Sequence, residues 1–131
     1  DDGDLFTGWP TGEYLGSELN SSISPTALGD LDDYGYSDVL FCTELSGYYS
    51  LLAYNSDGDI VDNLDFPITL PEGVSALGGF SIADIDQDGN IEIVFGTTDG
   101  LLHCWEFGTC STGYAPWVQF QHDHGRTGVL E

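Results

Sequence analysis

Gly29-Asp30-Leu31-Asp32-Asp33-Tyr34-Gly35-Tyr36-Ser37-Asp38 and Ala83-Asp84-Ile85-Asp86-Gln87-Asp88-Gly89-Asn90-Ile91-Glu92 are two versions of one phrase. Each is followed by a short apolar run, a turn, and a second run. After the first come Asp38-Val39-Leu40-Phe41-Cys42-Thr43 and Tyr48-Tyr49-Ser50-Leu51-Leu52-Ala53-Tyr54. After the second come Ile91-Glu92-Ile93-Val94-Phe95-Gly96 and Leu101-Leu102-His103-Cys104-Trp105. The runs are strand-length and rich in β-branched and aromatic residues. Ser46-Gly47, Ser56-Asp57-Gly58-Asp59 and Thr98-Asp99-Gly100 separate or follow them, and Asp-Gly accepts the positive φ that tight hairpins require. With 18 Gly, 5 Pro and no window of helical periodicity sustained over three turns, the chain reads as all-β with antiparallel meanders.

The repetition extends outward. Phe66-Pro67-Ile68 in the first copy corresponds to Trp117-Val118-Gln119 in the second, and Asp2-Gly3-Asp4 with Trp9-Pro10 mirrors Asp57-Gly58-Asp59 with Phe66-Pro67. A period of about 50 residues with about four short strands per unit is the signature of β-propeller-type blades. The expected organisation is an outer strand of an incomplete repeat over 1–12 and a first full repeat over 22–72. A second full repeat with a C-terminal flanking segment occupies 74–131. About two blades cannot close a ring, so this array is expected to be open or completed by a partner. That partner is a further copy sharing strands in a ring or fibre, or the remainder of a longer chain.

Composition limits the partners. Among 131 residues there are 23 Asp and Glu against one basic residue, Arg126, for a formal net charge of −22. Such a surface repels phosphate backbones and anionic headgroups, which argues against nucleic acid and membrane surfaces and in favour of cations. No apolar run reaches the roughly 20 residues of a membrane-spanning helix. The absence of methionine, including at the first position, marks the sequence as a processed form or a piece of a longer chain. Of the three cysteines, Cys104 and Cys110 are close enough to clip a small loop, leaving Cys42 as a buried thiol; the alternative is three unpaired core or loop residues.

The repeated phrase carries the chemistry. Asp84, Asp86 and Asp88 alternate, Gly89 permits a sharp bend, Asn90 offers a backbone carbonyl and Glu92 closes the shell. Alternation in a tight loop lets several oxygens converge, and an all-oxygen, carboxylate-rich set suits Ca²⁺ better than Mg²⁺. The earlier copy is degenerate. Asp30, Asp32 and Asp38 keep their positions, but Tyr34 stands where Asp88 stands in the later one. A weaker calcium site is expected there.

Asp84-x-Asp86-x-Asp88-Gly89-x-x-Glu92 followed by Ile93-Val94-Phe95-Gly96 and Asp99-Gly100-Leu101 resembles the FG-GAP/VCBS repeat of bacterial secreted proteins and integrin-type α-subunits. The segment from Trp117 through His122-Asp123 to Thr127-Gly128 resembles one that flanks such propellers. The resemblance implies a calcium-loaded, non-catalytic, secreted or cell-surface module for adhesion or scaffolding. It places the metal ligands on Asp84, Asp86, Asp88, Asn90 and Glu92. An accessory portion of a larger secreted enzyme, or a sugar-binding module using Trp9 or Trp117, is the alternative.

Catalytic readings are weaker. His122-Asp123-His124 has no nucleophile placed beside it by any elbow motif. His103 and Cys104 are strand neighbours that point to opposite faces. Asn20-Ser21-Ser22 is a glycosylation-type triplet in a Ser-rich connection.

Overall fold

The computed structural model describes residue 4 and residues 7–9, 24–61 and 66–107. These residues are all-β, without a helix, and form two antiparallel sheets. The first has the order β1(Ala27–Gly29), β2(Asp38–Leu45), β3(Tyr48–Tyr54) and β4(Ile68–Thr69). The second has the order β5(Ala76–Ala83), β6(Ile91–Thr97) and β7(Leu102–Phe107). Each is a meander, with every strand beside its neighbour in sequence.

A strand precedes each acidic phrase within its repeat. Each phrase lies inside a hairpin, between β1 and β2 or between β5 and β6. The second sheet has three strands among the described residues rather than four; the remaining expected strand, with Trp117, falls in 108–131, outside them. No closed ring is formed by the described residues. Of residues 1–12, expected as an outer strand, Asp4 and residues 7–9 are described and none lies in a strand.

The β2–β3 turn has the expected chemistry. Leu45 pairs with Tyr48, and the two residues between them, Ser46 and Gly47, have φ of 51° and 86°. Positive φ at both positions matches the right-handed twist of the flanking strands. The β6–β7 turn uses Gly100 at φ 86°, with the Thr97 and Leu101 backbones bonded across it at 2.9 Å.

Period-2 alternation sorts the side chains. One face of the first sheet carries Leu40, Cys42, Leu51 and Ala53, and packs with Phe80, Ile82, Ile91, Ile93, Phe95 and Phe107 of the second sheet in one shared core. Phe95 lies at its centre, with ring centroids of Phe80, His103 and Trp105 at 5.4, 5.0 and 5.0 Å. The opposite face of the first sheet carries Phe41, Leu52 and Tyr54, against which Trp9 packs. Trp9 sits 6.4 Å from the Tyr54 ring and donates its indole N–H to the Ser56 carbonyl at 3.2 Å. Phe66 meets the second sheet in a comparable way, stacking on Phe107 at 5.5 Å. The aromatic matched between copies as Trp9 and Phe66 thus docks on the sheet that follows it in sequence. In both cases it lands on the closing aromatic of that sheet's third strand.

The Trp9 contact depends on backbone proximity. A Cβ on Gly8 would overlap the Asp57 carbonyl, and one on Gly58 would overlap the Gly8 backbone. Gly58 also has φ 84°, whereas Gly73, at φ 74°, faces open space. Gly73→Ala should therefore cost about 1 kcal/mol, the left-handed backbone alone. Gly58→Ala should cost roughly 2–4 kcal/mol, because steric overlap is added. Denaturant melts of the two variants check this; equal losses would mean that the Gly8–Gly58 approach contributes nothing.

Candidate metal centre

The two acidic loops share one hydrogen-bond pattern. In the second, the Ile85 N–H donates to Glu92 Oε2 at 2.6 Å, the Asp88 N–H to Asp86 Oδ1 at 3.2 Å, and the Gly89 N–H to Asp84 Oδ2 at 3.1 Å. In the first, the Leu31 N–H donates to Asp38 Oδ2 at 2.7 Å, the Tyr34 N–H to Asp32 Oδ1 at 3.1 Å, and the Gly35 N–H to Asp30 Oδ2 at 2.9 Å. Asp33 and Gln87 both take φ 64°, and Gly35 and Gly89 take φ 85° and 97°. These positive angles turn the chain so that alternate carboxylates face inward. The closing acid, on the first or second residue of the next strand, bonds an amide seven residues earlier and shuts the loop.

One oxygen from each of Asp84, Asp86 and Glu92 lies within 4.8 Å of the others, and the same holds for Asp30, Asp32 and Asp38. The residues expected at the first, third and ninth places are thus brought together in both copies. Asp88 is not in the first of these groups: its oxygens accept from the Asn90 N–H at 2.8 Å and from Asn90 Nδ2 at 3.1 Å. It groups instead with Asp86 and Glu106, all three exposed. Tyr34 brings only its backbone to the first loop, its side chain being exposed. Glu106 was missed by sequence reasoning. The signal was present in the register, since Glu106 pairs with Glu92 across β6 and β7. Like charges directly opposed on paired strands are unfavourable.

Glu92 is 6% exposed, and its Oε1 is buried without a hydrogen-bond partner. A buried carboxylate oxygen left unsatisfied is costly, and the two neighbouring aspartates increase the cost. The donor set is all oxygen, and the chain's one basic residue, Arg126, lies outside the described residues. These features fit a hard divalent cation such as Ca²⁺, which Asp84, Asp86 and Glu92 could hold in the second loop and Asp30, Asp32 and Asp38 in the first.

Other candidates separate cleanly. His103 is half-buried against Phe95 with its Nε2 3.1 Å from Thr97 Oγ1, while Cys104 is exposed, so the pair does face opposite sides of β7. Cys42 is buried, which raises its thiol pKa. Asn20, Cys110, Trp117 and His122–His124 lie outside the described residues. Comparison of the chain with protein-family models, curated proteins and solved structures found no match. The resemblance to the FG-GAP/VCBS repeat therefore rests on the motifs themselves.

Burial pushes the Asp38 carboxyl up to about 7; the Leu31 amide partly opposes this, and the charges of Asp32 and Asp30 add to it. Asp32 is also raised, chiefly by burial. A carboxyl whose pKa is higher in the folded state binds more protons there than in the unfolded chain, so it favours folding at low pH. That contribution is lost as pH rises from about 4 to about 7. Metal-stripped protein should thus melt at a lower temperature at pH 8 than at pH 5, with a slope from this group of at most about 1.4 kcal/mol per pH unit. Asp38→Asn should flatten the profile. An unchanged slope in that variant would assign the pH dependence to other groups.

Proposed function

We propose that the chain is a non-catalytic, calcium-binding β-repeat module of a secreted or cell-surface protein, with a structural or adhesive role. The observation that carries this reading is Glu92 Oε1, buried and without a hydrogen-bond partner beside the carboxylates of Asp84 and Asp86. Bound calcium would supply the counter-charge that those oxygens lack. The aspartates and Glu92 orient the loop, and the strands on either side fix its ends. The repeat spacing and the FG-GAP/VCBS resemblance support the same assignment, as does the acidic surface. Calcium modules of low affinity, with Kd of about 10⁻⁴ to 10⁻³ M, are filled outside cells, where calcium is about 1 mM. This is the basis for placing the module there.

The open sheets would be completed by a further copy sharing strands or by the remainder of a longer chain. Trp9, the aromatic of the N-terminal segment, is seated on Tyr54 of the same chain.

At ~1 mM calcium, each site should stabilise the fold by roughly 0.4–1.4 kcal/mol, a rise in Tm of roughly 2–6 °C. EGTA should remove this rise, and magnesium should restore little of it. Asp86→Ala and Glu92→Gln should each abolish the share of the second loop while leaving that of the first. Calorimetry of the wild type and the two variants, with and without calcium, tests the assignment. Identical melting of the wild type in EGTA and in calcium would overturn it.

A further inference from the structure

The degenerate loop has lost an acid and gained something else. At the positions held in the second repeat by Asp88 and Asn90, the first has Tyr34 and Tyr36. Their side chains are 74% and 69% exposed, so neither is there to fill the core. Both line a cleft of about 570 Å³ whose other walls are Asp32, Asp38, Asn55, Ser56 and Asp57. That size is in the range of small-ligand sites.

The far wall is a hydrogen-bonded turn. Asn55 Oδ1 accepts from the Asp57 and Asp59 N–H groups, each at 3.0 Å, and the Gly58 N–H donates to the Asn55 carbonyl at 3.1 Å. The Trp9 indole pins the same turn through the Ser56 carbonyl. A preformed cleft loses little freedom when it binds.

We propose that this cleft binds an organic cation, an alkylammonium or guanidinium group, between the two tyrosines and the exposed Asp57 carboxylate. Two aromatic rings and an accessible carboxylate around one space are the elements that recognise such a group, through cation–π attraction and charge pairing. No lysine or arginine competes for them among the described residues. The cleft shares Asp32 and Asp38 with the first calcium loop, but Asp57 and both rings are separate from that carboxylate trio. Recognition therefore does not depend on whether the loop holds calcium. The group can belong to a free amine or to a basic side chain of a peptide.

Amide NMR titrations at ~150 mM salt test this with choline, with the blocked peptide acetyl-Gly-Arg-Gly-amide and with the neutral methyl glucoside, in metal-stripped and in calcium-saturated buffer. Saturable shifts confined to Tyr34, Tyr36 and residues 55–57 are expected with choline, the peptide or both, and the arm that binds tighter names the source. Tyr34→Ala/Tyr36→Ala should weaken binding roughly 5- to 30-fold, from about 0.5–1 kcal/mol per exposed cation–π contact. Tyr34→Phe/Tyr36→Phe should bind nearly as well as wild type, because the rings and not the hydroxyls are used. Asp57→Asn should also weaken binding, and it checks the charge contribution independently of the tyrosines. The proposal is overturned if neither cation shifts these amides in either buffer. It is equally overturned if shifts spread over all acidic loops with unchanged affinity in the Ala variant, or if only the glucoside binds. Because calcium occupancy is read separately by melting, failure here leaves the metal assignment standing.

Discussion

A buried carboxylate at the start of a strand organises each repeat. Asp38 and Glu92 both sit below a tenth exposure, and each accepts the backbone N–H of a residue seven positions earlier. That single contact fixes the ends of an acidic loop relative to the sheet and decides where its other carboxylates converge. It also creates the problem that a cation would solve, because an acid held away from water among other acids is unfavourable by itself. Loop geometry and ion demand therefore have one origin.

The contact also links the loops to the hydrophobic core. Asp38 and Glu92 lie on strands whose next residues alternate between the two faces of a sheet, so moving the acid would shift the register of the strand. In the second sheet the same strand carries Ile93 and Phe95 into the shared core. Packing of Phe95 with Phe80, His103 and Trp105 holds β6 in place, and β6 in turn holds Glu92.

Much of this was legible in the sequence, and the gaps have physical reasons. The runs that became β2, β3, β6 and β7 announce themselves by continuous apolar and β-branched residues between Asp-Gly or Ser-Gly turns. β1 and β5 did not. Ala27–Gly29 is three residues long, and Ala76–Ala83 is interrupted by Gly78-Gly79, where the pairing with β6 slips between Leu77 and Ser81. A glycine pair erases the alternation on which strand reading depends. The ligand positions one, three and nine were readable because alternation in a tight loop is a local property. Asp88 falls in a separate group with Asp86 and Glu106, its short side chain bonding the Asn90 backbone and amide, a local arrangement that spacing alone does not reveal. Glu106 required knowledge of strand pairing, and the Tyr34–Tyr36 cleft required the turn at 55–57, which is distant in sequence.

The hairpin tips have a consequence for survival among proteases. Exposed turns are where folded chains are usually nicked. Here those turns offer aspartate, serine, glycine and tyrosine, and no peptide bond in the described residues follows a lysine or arginine. Enzymes of the trypsin class, whose specificity pocket pairs an aspartate with a basic side chain, find no point of attack there. Those with an apolar pocket meet Tyr34, Tyr36 and Tyr48 at the surface. Among the described residues, stiffening the loop that carries two of those tyrosines would shield the peptide bonds that follow them.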